Sequence, residues 1–256
     1  MNELITSIII AIVQGLTEWL PVSSSGHMVV FEKLLNYQGG LTFEVALHFG
    51  TLMAVFVYFG SDIVDIIRDL LMGRFKSENG KLGIYVLIAT IPAAIVGYLL
   101  RGVFEQVFNS LLITAFGFAI TGVFLFIAGT SRKGGSLKAG NSFMIGVAQI
   151  FALFPGISRS GATIGSGYLF GLDERQAIKF SFLMSIPIIL GANILEIGGQ
   201  TLPSEMIWAT LVAFLVGLGT IHLLYGKVLV SRKNLKWFGT YALALAVVIF
   251  GYLLVS

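Results

Sequence analysis

Gln14-Gly15-Leu16-Thr17-Glu18-Trp19-Leu20-Pro21-Val22-Ser23-Ser24-Ser25-Gly26-His27 places a carboxylate, three serine hydroxyls and an imidazole in one short stretch of an otherwise apolar chain. The apolar run over residues 4–20 stops there, because Pro21 disfavours a helical residue before it. Residues 28–35 are apolar again but too short to span a bilayer. The two pieces read as one re-entrant unit, a helix that enters the membrane, breaks at the serines and returns. Broken backbone at that depth is tolerated only inside protein or beside a polar cavity. A second stretch echoes the first 135 positions later, laying Gln14 on Gln149, Val22 on Ile157, Ser23 on Ser158, Ser25 on Ser160 and Gly26 on Gly161. Where the copies differ, Ser24 falls on Arg159, Glu18 on Leu153 and His27 on Ala162. Each copy thus carries a different half of what reads as a phosphate site.

The composition sets the environment. Of 256 residues, 56% are hydrophobic and only 11% charged, against about 25% charged in soluble domains. Such a chain cannot cover itself with polar surface in water and is read as an integral membrane protein. The first basic residue is Lys33 and Glu18 interrupts the first apolar run, so a cleaved signal peptide is not expected. The absence of cysteine excludes disulfides and thiolate chemistry. A net charge of +3 gives no argument for nucleic acid as a partner.

Residues 43–60 span about 27 Å as a helix, and 82–100, 110–129, 177–195, 206–225 and 237–255 are further full spans. Residues 62–71 alternate charge with isoleucine and leucine, which suits a helix lying in the interface. Residues 142–154 and 162–170 form a second short pair around Pro155. The fold class expected is an all-α polytopic membrane protein with six transmembrane helices and two re-entrant helix pairs in an inverted repeat. It forms one membrane domain over 1–256, with halves of about 1–130 and 136–256. Three spans separate the two breaks, an odd number, so the second copy is inverted. With both termini outside, thirteen basic residues fall on the cytoplasmic side or its boundary and two, Lys33 and Arg101, on the exterior. The positive-inside rule favours that orientation. Inverted repeats with broken helices near the midplane carry sites of the transporter type.

Glu18 and Arg159 would each cost roughly 2.5–3.5 kcal/mol at mid-membrane unless paired or given a polar ligand. A purely structural ion pair is the plain reading, but a buried pair is often no better than apolar packing. Arg159 offers a fork of donors matched to phosphate oxygens. Ser23, Ser25, Ser158, Ser160 and Thr163 sit at or near helix starts, where free N–H groups and the helix dipole favour an anion. Any one of them could be an ordinary cap; two serine-rich breaks in register with an arginine are more specific. His27 is expected as a neutral imidazole next to Ser24 and within reach of Glu18. Glu44 and His48, i and i+4 in one span, are a second pair that could support the site or ligate a metal. His222, near a span end, reads as structural.

Both segments resemble the undecaprenyl-diphosphate phosphatase family of the bacitracin-resistance type. Gln14 to His27 matches its [E/Q]xxxE-x-x-P-V-S-S-[ST]-G-H segment, Pro155 to Thr163 its P-G-x-S-R-S-x-x-T segment, and Phe43-Glu44-Val45 and Phe180 to Pro187 extend the match. The resemblance implies a prokaryotic cell-membrane enzyme. It would hydrolyse undecaprenyl diphosphate to undecaprenyl phosphate and inorganic phosphate, recycling the lipid carrier for cell-wall synthesis. It assigns function to Glu18, Ser24, His27, Ser158, Arg159 and Thr163. Gln14 stands where many members have Glu, which weakens schemes that need two carboxylates on the first helix. The diphosphate carries about three negative charges, so a Mg²⁺ or Ca²⁺ held by Glu18, with Gln14 as a further ligand, is the expected cofactor. The scheme expected is attack by Ser24, activated by His27, with Glu18 orienting the imidazole or the metal. Attack by His27 itself, or by water with His27 as base, stays open.

Two rivals remain at this level. A lipid-carrier flippase or anion transporter would use the same inverted-repeat site, although the Ser/His/Glu/Arg set exceeds what holding an anion requires. The other membrane lipid phosphatase family, suggested by Ser25-Gly26-His27 and Ser158-Arg159, needs a further His and Asp downstream. The run from Ser160 to Gly171 contains neither.

Overall fold

The computed structural model describes residues 3–197, 203–228 and 231–255. Among them the regular structure is helical, with twelve α-helices. They are α1 Glu3–Thr17, α2 Ser24–Leu35, α3 Gly40–Tyr58, α4 Gly60–Leu71, α5 Glu78–Leu99, α6 Arg101–Val107, α7 Leu111–Ala128, α8 Ala139–Phe151, α9 Arg159–Leu169, α10 Glu174–Ile197, α11 Ser204–Leu223 and α12 Leu235–Val255. Six of these, α3, α5, α7, α10, α11 and α12, are long and apolar enough to cross a membrane, and they fall on the six expected spans. The segment expected to lie in the interface forms α4, with no buried residue. The sequence reading gave no element at α6, a seven-residue helix between two spans.

Local chemistry explains the two breaks. α1 has fifteen residues and α8 thirteen, both short of a span, and each is followed by a turn and a short helix. Thr17 Oγ1 donates back to the Val13 carbonyl at 2.6 Å as α1 ends, an i−4 bond that bends or closes a helix. Ser23 then caps α2 by accepting from the Gly26 N–H at 3.3 Å, and Ser158 caps α9 by accepting from Gly161 N–H at 3.0 Å. Each break holds one residue in the left-handed region, Ser23 at φ 67° and Gly156 at φ 85°. For a serine that conformation is uncommon and strained, and such strain collects at functional sites.

The helices pack in matching pairs. α1 lies on α11 as α8 lies on α5, α3 on α11 as α10 on α5, while α3 meets α10 and α7 meets α12. Exchanging α1 for α8, α3 for α10, α5 for α11 and α7 for α12 leaves this set of pairs unchanged. Small residues allow the close approaches: a Cβ on Gly165 would come within 2.6 Å of the Phe124 ring of α7.

Glycines also bring the breaks together. A Cβ on Gly26 would lie 2.7 Å from the Phe118 ring and 2.8 Å from Gly156 Cα, and one on Gly117 would lie 2.8 Å from the same Gly156 Cα. Thr121 of α7 fastens the second break, its Oγ1 donating to Gly156 O and accepting from Ser158 N–H, both at 3.0 Å. Gly117→Ala is therefore expected to destabilise the protein by about 1–3 kcal/mol, since backbone cannot swing aside as a side chain can. A fall in the thermal midpoint in detergent would register it; an unchanged midpoint would show that α7 does not clamp the break.

Candidate active site

Glu18 occupies the turn that follows α1, its N–H still bonded to Gln14 O at 2.9 Å. Gln14 Nε2 donates to Glu18 Oε2 at 3.0 Å, and Ser24 Oγ donates to the same oxygen at 2.5 Å. The other oxygen, Oε1, takes the guanidinium of Arg159 from the second break, 141 residues away. His48 of α3 brings Nε2 to 3.4 Å from Glu18 Oε2. Arg159 lies over the buried Trp19 indole, with its guanidinium carbon 5.2 Å from the ring centroid. The guanidinium thus gains cation–π attraction, while its Nη1 has no protein partner. Ser160 Oγ donates to Leu20 O at 2.7 Å and adds a second tie between the breaks.

Glu18, Ser24, His48 and Arg159, with Ser23, Ser25 and Ser158, line a cavity of about 380 Å³. The first turns of α2 and α9 both border it, so two helix N-termini present positive ends to one space. The flank is apolar, built from Ala93, Ala94 and Gly97 of α5, Leu153 after α8, and Ile188, Ile189 and Ala192 of α10. Also on the wall, Arg101 joins Glu105 and Glu196, both at 2.6 Å.

Not every expected residue arrives there. His27 was expected to act on Ser24, and the structure turns it elsewhere. Its Nδ1 meets the Ser23 carbonyl at 2.7 Å, so Nδ1–H is the donor and Nε2 is left to accept from Tyr241 OH, also at 2.7 Å. The ring stacks on Tyr241 of α12 and meets Phe118 edge-on. The cause is local: the i−4 bond to Ser23 aims the imidazole at α12, while the Ser24 hydroxyl is taken by Glu18. Ser160 and Thr163 also point into packing, Ser160 as described and Thr163 Oγ1 to Arg159 O at 2.9 Å and the Ser181 hydroxyl at 2.6 Å. His222 is exposed and lies edge-on to Tyr58.

The sequence pointed only obliquely to other wall residues. His48, weighed with Glu44 for their shared helix face, reaches Glu18, and its Nδ1 donates to Glu44 O at 2.7 Å. Glu44 itself lines the cavity with Oε2 unpartnered. Gln149 entered only as the echo of Gln14, and Arg101 only as an exterior charge.

A divalent cation fits this donor set in a restricted way. Gln14 turns its NH₂ toward Glu18, so it supports the carboxylate as a donor and is not a co-ligand in this arrangement. Among the described residues no three His, Cys, Asp or Glu side chains gather as a cage. One carboxylate beside a hydroxyl suits a cation that draws its remaining ligands from phosphate oxygens and water, the usual manner of Mg²⁺.

The comparisons with known proteins agree with this architecture. The undecaprenyl-diphosphatase of Thermosipho melanesiensis is 40% identical over 243 residues, covering 94% of this chain and 96% of the relative. That of Rubrobacter xylanophilus is 40% identical over 271 residues, covering 99% and 100%. That of Methanococcus vannielii is 36% identical over 255 residues, covering 96% and 99%. The family model described as bacitracin resistance protein BacA matches residues 7–248. With both breaks, five spanning helices and most of α12 inside that match, the chain belongs to the bacitracin resistance protein BacA family.

Proposed function

We propose that this chain is a multi-pass membrane phosphatase that hydrolyses undecaprenyl diphosphate to undecaprenyl phosphate and inorganic phosphate, recycling the lipid carrier for cell-wall synthesis. The observation that carries the reading is the Ser24 hydroxyl, bonded at 2.5 Å to a carboxylate that also holds Arg159, between two helix N-termini. A carrier for an anion would need the N-termini and the arginine but not a hydroxyl bonded to a carboxylate. The apolar flank between α5, α8 and α10 suits the isoprenoid chain, and the polar end suits the diphosphate.

In this reading Arg159 passes from Glu18 to the terminal phosphate as substrate enters. Losing that cation makes Glu18 a stronger base at the moment it is needed. Ser24 Oγ attacks the terminal phosphorus and its proton goes to Glu18 Oε2. The bond from phosphorus to the bridging oxygen breaks, and undecaprenyl phosphate leaves with that oxygen. Water then attacks the phosphoserine, Glu18 returns the proton to Ser24, and inorganic phosphate departs. His48 stands where it can relay protons to Glu18. The N–H groups of α2 and α9 and the free Nη1 of Arg159 stabilise charge on the equatorial oxygens. Mg²⁺ or Ca²⁺, bound by Glu18 beside Ser24 and by phosphate oxygens, would supply further charge neutralisation.

The site is read as facing the exterior, with both termini outside. The excess of basic residues on the opposite side supports that orientation, and so does the cavity mouth, where Arg101 and Glu105 sit in the loop expected outside. The two halves are read as an inverted repeat with re-entrant pairs α1–α2 and α8–α9, supported by the matching helix pairs.

The direct test is phosphate release by the detergent-solubilised protein from prenyl diphosphates of several lengths, with and without chelator. Release of one phosphate per lipid is expected, and none under any condition would sink the reading. Arg159→Lys should lower kcat/KM by about 10²-fold, because an ammonium cannot give two parallel bonds to phosphate. Turnover near that of the unaltered protein would show that Arg159 is not a bidentate phosphate ligand.

A further inference from the structure

Gln149 is an anomaly of burial. It lies in the last turn of α8, on the buried face it shares with Ser142, Ile145 and Gly146. It is 2% exposed, and neither its Oε1 nor its Nε2 has a hydrogen-bond partner in the protein. Gln149 nevertheless belongs to the wall of the cavity that Ser158 and Arg159 also line. A buried amide with both ends unmet is disfavoured, and nearly all such groups in folded proteins are bonded.

The other half shows what is missing. Gln14 donates to Glu18 one helical turn later at 3.0 Å. The matching position in the second half is Leu153, which accepts nothing. The second amide has therefore lost its local partner and kept its place on the wall. Arg159 Nη1, on the same wall, is likewise a donor without an acceptor. Two unmet buried donors on residues of one cavity wall call for a ligand rich in acceptor oxygens that reaches between them.

We propose that Gln149 is a substrate-contacting residue, its Nε2–H donating to an oxygen of the diphosphate alongside Arg159 Nη1. Its Oε1 accepts from a water in the phosphate's shell. The second half thus supplies an amide to the substrate where the first supplies one to the catalytic carboxylate. This rests on the phosphatase reading above, so phosphate release by the unaltered protein is measured first, and its failure would strike that reading alone.

Gln149→Leu then isolates the amide, since leucine fills nearly the same volume with no polar atom. The expected result is a fall in kcat/KM of at least about 10-fold, equal to about 1.4 kcal/mol of transition-state stabilisation. The thermal midpoint without ligand should stay level or rise, because an unsatisfied group has been removed. Inorganic pyrophosphate should raise the midpoint of the unaltered protein and need at least about 10-fold higher concentration to do so in the variant. Gln149→Glu, which keeps an acceptor but sets a negative charge against phosphate, should lose at least as much activity as the leucine variant. Gln149→Leu turnover within threefold of the unaltered protein would overturn the assignment. So would an unchanged pyrophosphate response, whatever the midpoint does.

Discussion

Ser24→Ala should slow phosphate release by about 10⁴-fold or more, the scale of losing a nucleophile that works as a unit with its base. The substitution is unusually clean here. Ser24 opens α2 but does not cap it, since Ser23 accepts the Gly26 N–H, so alanine costs no cap. The Ser24 hydroxyl is bonded to Glu18 Oε2, and its removal leaves Gln14 and Arg159 still donating to that carboxylate. Stability should barely move while the chemistry stops. Rapid quench during turnover should also recover a covalent phosphate on Ser24. Alanine turnover within tenfold of the unaltered protein, or the label on His27, would hand the attack to water or to the imidazole.

Glu18→Gln has the next largest expected effect, a loss of about 10³- to 10⁴-fold in kcat, near the upper range for removing a positioned base. An amide of the same size can accept from Arg159 but takes no proton from Ser24 and carries no charge. Arg159 would be left without its counter-charge, and breaking a buried pair by removing one member is destabilising by about 3–5 kcal/mol. Arg159 borders an open cavity and stacks on Trp19, so the cost here should fall below that range. Steady-state kinetics beside a thermal scan separates the two effects. A variant with normal kcat and a lowered midpoint would reduce Glu18 to a structural anchor. The same experiment in Glu18→Asp, which keeps the charge but withdraws it by one methylene, should recover stability before it recovers rate.

Much of this was legible along the chain because short-range rules decide it. Six spans follow from apolar runs of bilayer length, and each matches a helix. The capping serines, Ser23 and Ser158, follow from hydroxyls that meet N–H groups three residues on. A Glu18–Arg159 ion pair is the plain reading of the sequence, set there below a phosphate-binding role, and the structure pairs the two side chains, since two charges in apolar surroundings have few other ways to be satisfied. The partner of His27 was not legible, because Tyr241 lies 214 residues away on α12 and no local pattern ties the two. The same holds for His48, whose helix face was visible but whose meeting with Glu18 depends on how α3 packs. Ser160 and Thr163 look equivalent to the other hydroxyls in sequence, yet their neighbours, Leu20 and Ser181, come from other elements.

By itself, then, the sequence determined an apolar helical chain, where its helices break, and which residue types sit at the breaks, because hydropathy, proline and capping act within a few residues. Only the tertiary structure decided that His27 meets Tyr241, that His48 reaches Glu18, and that Gln149 sits in the cavity wall without a protein partner. Gly26, Gly117 and Gly156 likewise let backbones distant in sequence touch. Contact at that range is set by the packing of whole helices, which no stretch of sequence encodes alone.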